Sequence, residues 1–126
     1  EERSKGKTNN AIKELLNLSP KKALVLRNGK EELISTEDIV VGDIIIIKPG
    51  ESIPVDGILV EGSSSVDESA ITGESIPVEK EIGSNLISAT VNKTGYFKMK
   101  ATKVGADTTL SKIISLILLI TSDVEY

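Results

Sequence analysis

Thr72, Gly73 and Glu74 form the short run in this chain best suited to chemistry on a phosphate. Thr72 offers a hydroxyl that both donates and accepts, and Glu74 a carboxylate able to take a proton as a general base. Gly73 has no Cβ and tolerates positive φ, so the backbone there can turn sharply and approach a bulky charged partner. Pro77 fixes its own φ and biases Ile76 toward an extended conformation. The segment Ile71–Lys80 is therefore expected to project as a loop. Three residues alone fit an acidic surface turn better, and the rest of the chain has to decide between the two.

Composition removes many alternatives. The 126 residues contain no Cys and no His. That excludes disulfides, thiol nucleophiles, Cys/His zinc sites, haem ligation and Ser-His or Cys-His catalytic pairs. Length fits one domain. Aromatics make up only 2% of residues, so Ile, Val and Leu must build the core, and their β-branched majority favours strands. The longest apolar stretch, Ile113–Ile120, is far short of the ~20 residues that span a bilayer. No signal peptide is visible, and the chain as given is expected to be soluble.

The net charge of -4 is unevenly spread. Residues 1–30 carry eight Lys/Arg against three Glu, whereas residues 31–85 carry two Lys against thirteen Asp/Glu. An acidic middle with few aromatics argues against nucleic acid as a partner. The basic N-terminal stretch suits a solvated helix face, with anionic lipid headgroups or an acidic partner as the other reading.

The elements that must position the loop follow from periodicity and turn residues. Residues 1–18 read as an amphipathic helix, with Ala11, Ile12, Leu15, Leu16 and Leu18 on one side and Ser19-Pro20 as its stop. Ala23–Arg27 and Glu31–Ser35 flank Asn28-Gly29, a hairpin signal. Thr36–Asp38 forms a helical turn, and Ile44–Ile47 a strand buried on both faces. Val55–Val60 and Ser65–Asp67 are further strands. Leu86–Val91 and Tyr96–Val104 are expected to pair across an Asn92-Lys93-Thr94-Gly95 turn. A second helix runs over residues 107–120, capped by Asp107 or Thr108. The expectation is a mainly β fold, a distorted jelly roll or β-sandwich over residues 23–104, with a helix at either end of a single domain spanning 1–126.

Three segments read together identify a resemblance. These are Val41-Gly42-Asp43-Ile44, then Lys48-Pro49-Gly50-Glu51-Ser52-Ile53-Pro54-Val55-Asp56-Gly57, and finally Val66-Asp67-Glu68-Ser69-Ala70-Ile71-Thr72-Gly73-Glu74-Ser75-Ile76-Pro77-Val78-Glu79-Lys80. The combination resembles the actuator domain of P-type ATPases, ion pumps that pass through an aspartyl-phosphate intermediate, over roughly residues 1–114. Ala11–Leu16, the Val-Asp-Glu-Ser spelling, Ala89–Gly95 and Ala101–Gly105 are most similar to the heavy-metal branch. Within that branch they favour copper(I)/silver pumps over the zinc/cadmium/lead pumps, although Ser19–Ala23 fits the latter at least as well. Leu116–Ile120 is more apolar than the family pattern, Thr121–Tyr126 departs from it, and no function is placed on residues 116–126.

The resemblance implies that Glu74 activates the water that hydrolyses the aspartyl phosphate, with Thr72 and Gly73 shaping the loop. It places the phosphorylated Asp, ATP and magnesium on the phosphorylation and nucleotide-binding domains of the same polypeptide. This domain is then expected to hold no cofactor and no metal, and to be a monomer when isolated. Its partners are those domains, the membrane helices and, as a further candidate, a soluble metal-binding domain. Its place is the cytoplasmic side of an integral membrane protein. The competing class is a non-catalytic interaction module. Asn92-Lys93-Thr94-Gly95 resembles the phosphorylation motif of the same pumps, but an Asn amide cannot attack a phosphoryl group as a carboxylate does, and a hairpin turn is expected there. Asp43, Glu51, Asp56, Asp67 and Glu68 match no EF-hand spacing, and turn and capping roles are expected for them.

Overall fold

Phe97, Met99 and Ala101 are buried while Lys98, Lys100 and Thr102 between them turn toward solvent, the period-two signature of a strand with one core face. That strand, β9 (Phe97–Lys103), runs through the centre of the larger of two sheets. The computed structural model describes Lys13 and residues 17–124, the last four by their backbone alone. Most of the helix expected over residues 1–18 lies outside the described residues; Asn17 and Leu18 are helical, and the helix stops before Pro20.

The larger sheet contains β1 (Lys22–Arg27), β2 (Lys30–Ser35), β3 (Ile44–Ile47), β4 (Asp56–Gly62), β7 (Asn85–Leu86) and β9, in the order β2-β1-β3-β9-β4-β7. The smaller contains β5 (Ser64–Asp67), β6 (Val78–Lys80) and β8 (Val91–Asn92), in the order β6-β5-β8. Every pairing is antiparallel. Asn28 (φ 54°) and Gly29 (φ 77°) make the primed turn that the β1–β2 hairpin demands. The core lies on one face of the larger sheet: Val25, Ile45 and Ile47 meet Leu59, Phe97 and Met99, joined by Ile53, Val55, Val66 and Leu86. Ile45–Ile47 are all buried, as the unbroken apolar run of β3 predicts.

One expected pairing is wrong. Leu86–Val91 is not a single strand and does not pair with residues 96–104. The chain changes sheets inside it: β7 pairs with β4 and β8 with β5, with Ala89 at φ 70° between them. β9 pairs instead with β3 and β4. Ser88 and Thr90, two polar side chains in the expected strand, are fully buried, so polarity did not mark its solvent face.

The C-terminal helix spans Thr109–Val124 after a 3₁₀ turn over Gly105–Asp107. Thr108 is its cap, its Oγ1 accepting the N–H of Ser111 at 3.2 Å. Leu116, Leu118, Leu119 and Ile120 are exposed along it. Among the described residues no helix is long and apolar enough to cross a membrane.

Candidate functional site

The Thr72–Glu74 segment sits at the tip of the β5–β6 hairpin. Ser64 pairs with Lys80, Ser65 with Glu79 and Val66 with Val78, so residues 68–77 form the connection between two registered strands. A single helical turn, Ser69–Thr72, starts that connection, an element not expected from sequence. Asp67 begins it: its Oδ1 accepts the N–H of Ser69 at 2.8 Å, and hydrogen bonding to Ser69 holds the carboxyl below the usual aspartate range. Gly73 ends it in the left-handed region, φ 81° and ψ -2°, with its N–H on the carbonyl of Ser69 at 2.9 Å. Nothing lies within 4 Å of where a Cβ on Gly73 would stand, so backbone conformation rather than space selects glycine.

Thr72 links the turn to the residue beyond it. Its hydroxyl donates to the carbonyl of Glu68 at 3.1 Å and accepts the N–H of Glu74 at 3.2 Å. Thr72, Gly73 and Glu74 are thus held as one unit, and all three are exposed, as are residues 75–79. Ile76 is 77% exposed and anchors the loop to no core. The arrangement presents one carboxylate outward on an ordered turn, with its approach unobstructed from the solvent side.

The Asn92-Lys93-Thr94-Gly95 segment is a turn but not a hairpin. It carries the chain from the smaller sheet to the larger. Asn92 is fully buried; its Nδ2 donates to the carbonyl of Gly95 and its Oδ1 accepts the hydroxyl of Ser64. A Cβ on Gly95 would stand 2.1 Å from the carbonyl oxygen of Ser63, so this crossover packs directly against the chain leaving β4. A residue locked this way cannot present itself to a nucleotide.

The five acidic residues set aside as structural are so placed. Asp43 accepts from Arg27 Nη2 at 2.7 Å, from Arg27 Nε at 3.2 Å and from the N–H of Val40 at 3.0 Å. Glu51 accepts the N–H of Lys48 at 2.8 Å, closing the turn around Pro49-Gly50. Asp56 caps the C-terminal helix, Asp67 opens the helical turn, and Glu68 pairs with Lys80 at 2.9 Å. Among the described residues no three His, Cys, Asp or Glu are grouped to hold a metal ion. Sequence reasoning passed over Lys80, since nothing local marks which carboxylate a lysine will meet.

A family model of the P-type ATPase actuator domain matches residues 17–118. A copper-exporting P-type ATPase of Staphylococcus saprophyticus is 55% identical over 117 residues, which cover 93% of this chain and 15% of that protein. A probable copper-exporting P-type ATPase of Archaeoglobus fulgidus is 50% identical over the same shares. In structure the chain is similar to a zinc-transporting PIB-type ATPase in an E2·Pi state, with a TM-score of 0.81 and 31% identity, over 86% of this chain and 18% of the other. The chain therefore spans about a sixth of the length of the pumps it matches. With the two-sheet fold, the ordered Thr72–Glu74 loop and a family match over most of its length, this chain belongs to the P-type ATPase actuator domains.

Proposed function

We propose that this chain is the cytoplasmic actuator domain of a heavy-metal pump that exports copper(I), and that Glu74 drives hydrolysis of the pump's aspartyl phosphate. The observation that carries the reading is the exposed Glu74 carboxylate on a turn fixed by Thr72 and Gly73. Glu74 takes a proton from water as the water oxygen attacks phosphorus, and the bond from phosphorus to the aspartyl oxygen breaks. Thr72 and Gly73 hold the turn that sets the direction of approach. A carboxylate entering a phosphate site meets like charge, and residues 31–85, with thirteen Asp/Glu against two Lys, do nothing to relieve it. The countercharge belongs to the docked phosphorylation domain, where ATP and magnesium would also bind. Glu74 then acts only when the domains meet, which couples phosphate loss to domain rotation and so to the membrane helices.

The identity of 50–55% to copper-exporting relatives supports copper(I) as the cargo over zinc, cadmium or lead. Phosphoenzyme formation stimulated by copper(I) and not by zinc tests the cargo. The base is tested by a chase of radiolabelled phosphoenzyme in the full-length pump. Glu74→Gln should form phosphoenzyme normally and lose it roughly 10²–10⁴-fold more slowly. Equal decay in variant and wild type would overturn the assignment.

A further inference from the structure

Lys80 is the last residue of β6, yet its ammonium group joins three separate parts of the fold. Nζ lies 2.9 Å from Glu68 Oε2 and donates to the carbonyl of Asn85 at 2.8 Å. The two side chains are only 11% and 9% exposed, whereas residues 72–79 of the loop between them are all exposed. Asn85 belongs to β7, at the edge of the larger sheet, while Lys80 belongs to the smaller one. Glu68 stands at the cap position of the helical turn that leads to Glu74.

A continuous series of contacts follows from the larger sheet to the backbone of the base. The carbonyl of Asn85 holds Lys80, and Lys80 holds the carboxylate of Glu68. The carbonyl of Glu68 receives the N–H groups of Ile71 and Thr72, each at 2.9 Å, and the Thr72 hydroxyl at 3.1 Å. That hydroxyl in turn receives the N–H of Glu74. No apolar side chain of residues 72–75 adds to this anchorage.

Burial of an ion pair adds little net stability, because the cost of removing both charges from water offsets most of their attraction. Its geometric effect is the larger one. β5 and its buried Val66 already join the hairpin to the core, and Lys80 adds a direct side-chain tie from the helical turn to the edge strand β7. Without that tie the loop would follow the body of the domain less closely. We propose that Lys80 and Glu68 are positioning residues for Glu74, a latch that makes the loop follow the larger sheet as the domain moves. This rests on the reading of Glu74 as the general base.

The test uses the full-length pump in membranes, phosphorylated with radiolabelled ATP and chased. Lys80→Met should leave phosphoenzyme formation unchanged and slow its decay roughly 10–100-fold, the range for a displaced group of intact chemistry. Lys80→Arg, which can still reach both oxygens, should restore most of the rate. Glu68→Gln, isosteric and uncharged, should slow decay likewise, and the double variant should be no slower than the worse single one. A purely structural role would lower the amount of phosphoenzyme in all these variants and leave the decay of the surviving fraction alone. Should Lys80→Met fail to reach the membrane, Glu68→Gln decides. Wild-type decay in these variants beside slow decay in Glu74→Gln overturns the latch alone; wild-type decay in Glu74→Gln overturns the base assignment.

Discussion

Asp56 on β4 grips Thr109, 53 residues further along the chain, through both the backbone N–H at 2.9 Å and the hydroxyl at 2.7 Å. Its other oxygen accepts the N–H of Ser88 at 2.8 Å, and the Ser88 hydroxyl accepts the N–H of Leu110. A buried carboxylate thus caps the first turn of the C-terminal helix and fastens it to the larger sheet. Asp56→Ala would leave buried N–H groups unpaired and should cost about 2–3 kcal/mol in urea denaturation of the chain. Asp56→Asn, which keeps an acceptor, should cost less. A loss below about 0.5 kcal/mol for the Ala variant would show that water or another group serves these donors equally well.

Gly73 presents the opposite situation, a position with space but no freedom of backbone. An added methyl group meets nothing within 4 Å, while φ 81° disfavours any L-residue with a Cβ. Gly73→Ala should therefore destabilise the chain by only about 1–2 kcal/mol in denaturant midpoint experiments. In the full-length pump it should also slow phosphoenzyme decay, because the strain is relieved by turning Glu74 away. Unchanged decay with the expected loss of stability would show that the loop tolerates another turn conformation.

Local chemistry in the sequence wrote most of the fold. Asn28-Gly29 carries its own turn geometry, Ile44–Ile47 its burial, and Thr108 a hydroxyl three residues ahead of the N–H it caps. What failed depends on which distant strand a short segment meets. Val91–Asn92 has only two residues in its ladder, and the Ser64 hydroxyl that helps to fix Asn92 lies 28 residues earlier. An Asn-Lys-Thr-Gly run between apolar segments has the look of a hairpin, and nothing local records that its flanks lie in different sheets. The turn at Thr72, Gly73 and Glu74 was legible because turn chemistry is local, while the role proposed for Glu74 rests on the family resemblance. Lys80 was not, since its partners are fixed by β5–β6 register and by the edge of another sheet.

The pair Asp43–Arg27 makes acid sensitivity predictable in sign. The hydrogen bond from Arg27 holds the Asp43 carboxyl below the usual aspartate range, helped by the N–H of Val40 and opposed by partial burial. The folded pKa is thus below the unfolded value of about 3.9. Stability from this group is fully present above that unfolded value and is lost as pH falls through the folded one. Urea midpoints measured from about pH 5 down to about pH 2.5 should fall more steeply for wild type than for Asp43→Asn. Some slope should remain in the variant, because Asp67 is also held below its usual range. Parallel curves would mean that the Arg27 contact does not persist in solution.

Thr72 separates a hydroxyl's role from a methyl group's. Its Oγ1 receives the N–H of Glu74 and donates to Glu68, whereas its exposed methyl group joins no core. Thr72→Ser keeps both hydrogen bonds, and phosphoenzyme decay in the full-length pump should stay within about threefold of wild type. Thr72→Val keeps the shape and loses both bonds. It should cost roughly 0.5–1 kcal/mol of stability, since the freed Glu74 N–H can turn to water. Decay should slow about tenfold or more, because an exposed carboxylate whose backbone is no longer tied samples orientations that miss the attacking water. Formation of phosphoenzyme should be equal in all three proteins, since the role proposed for the loop is confined to hydrolysis. If the Val variant decays like the Ser variant, the hydroxyl does not orient Glu74, and Gly73 alone must set the turn.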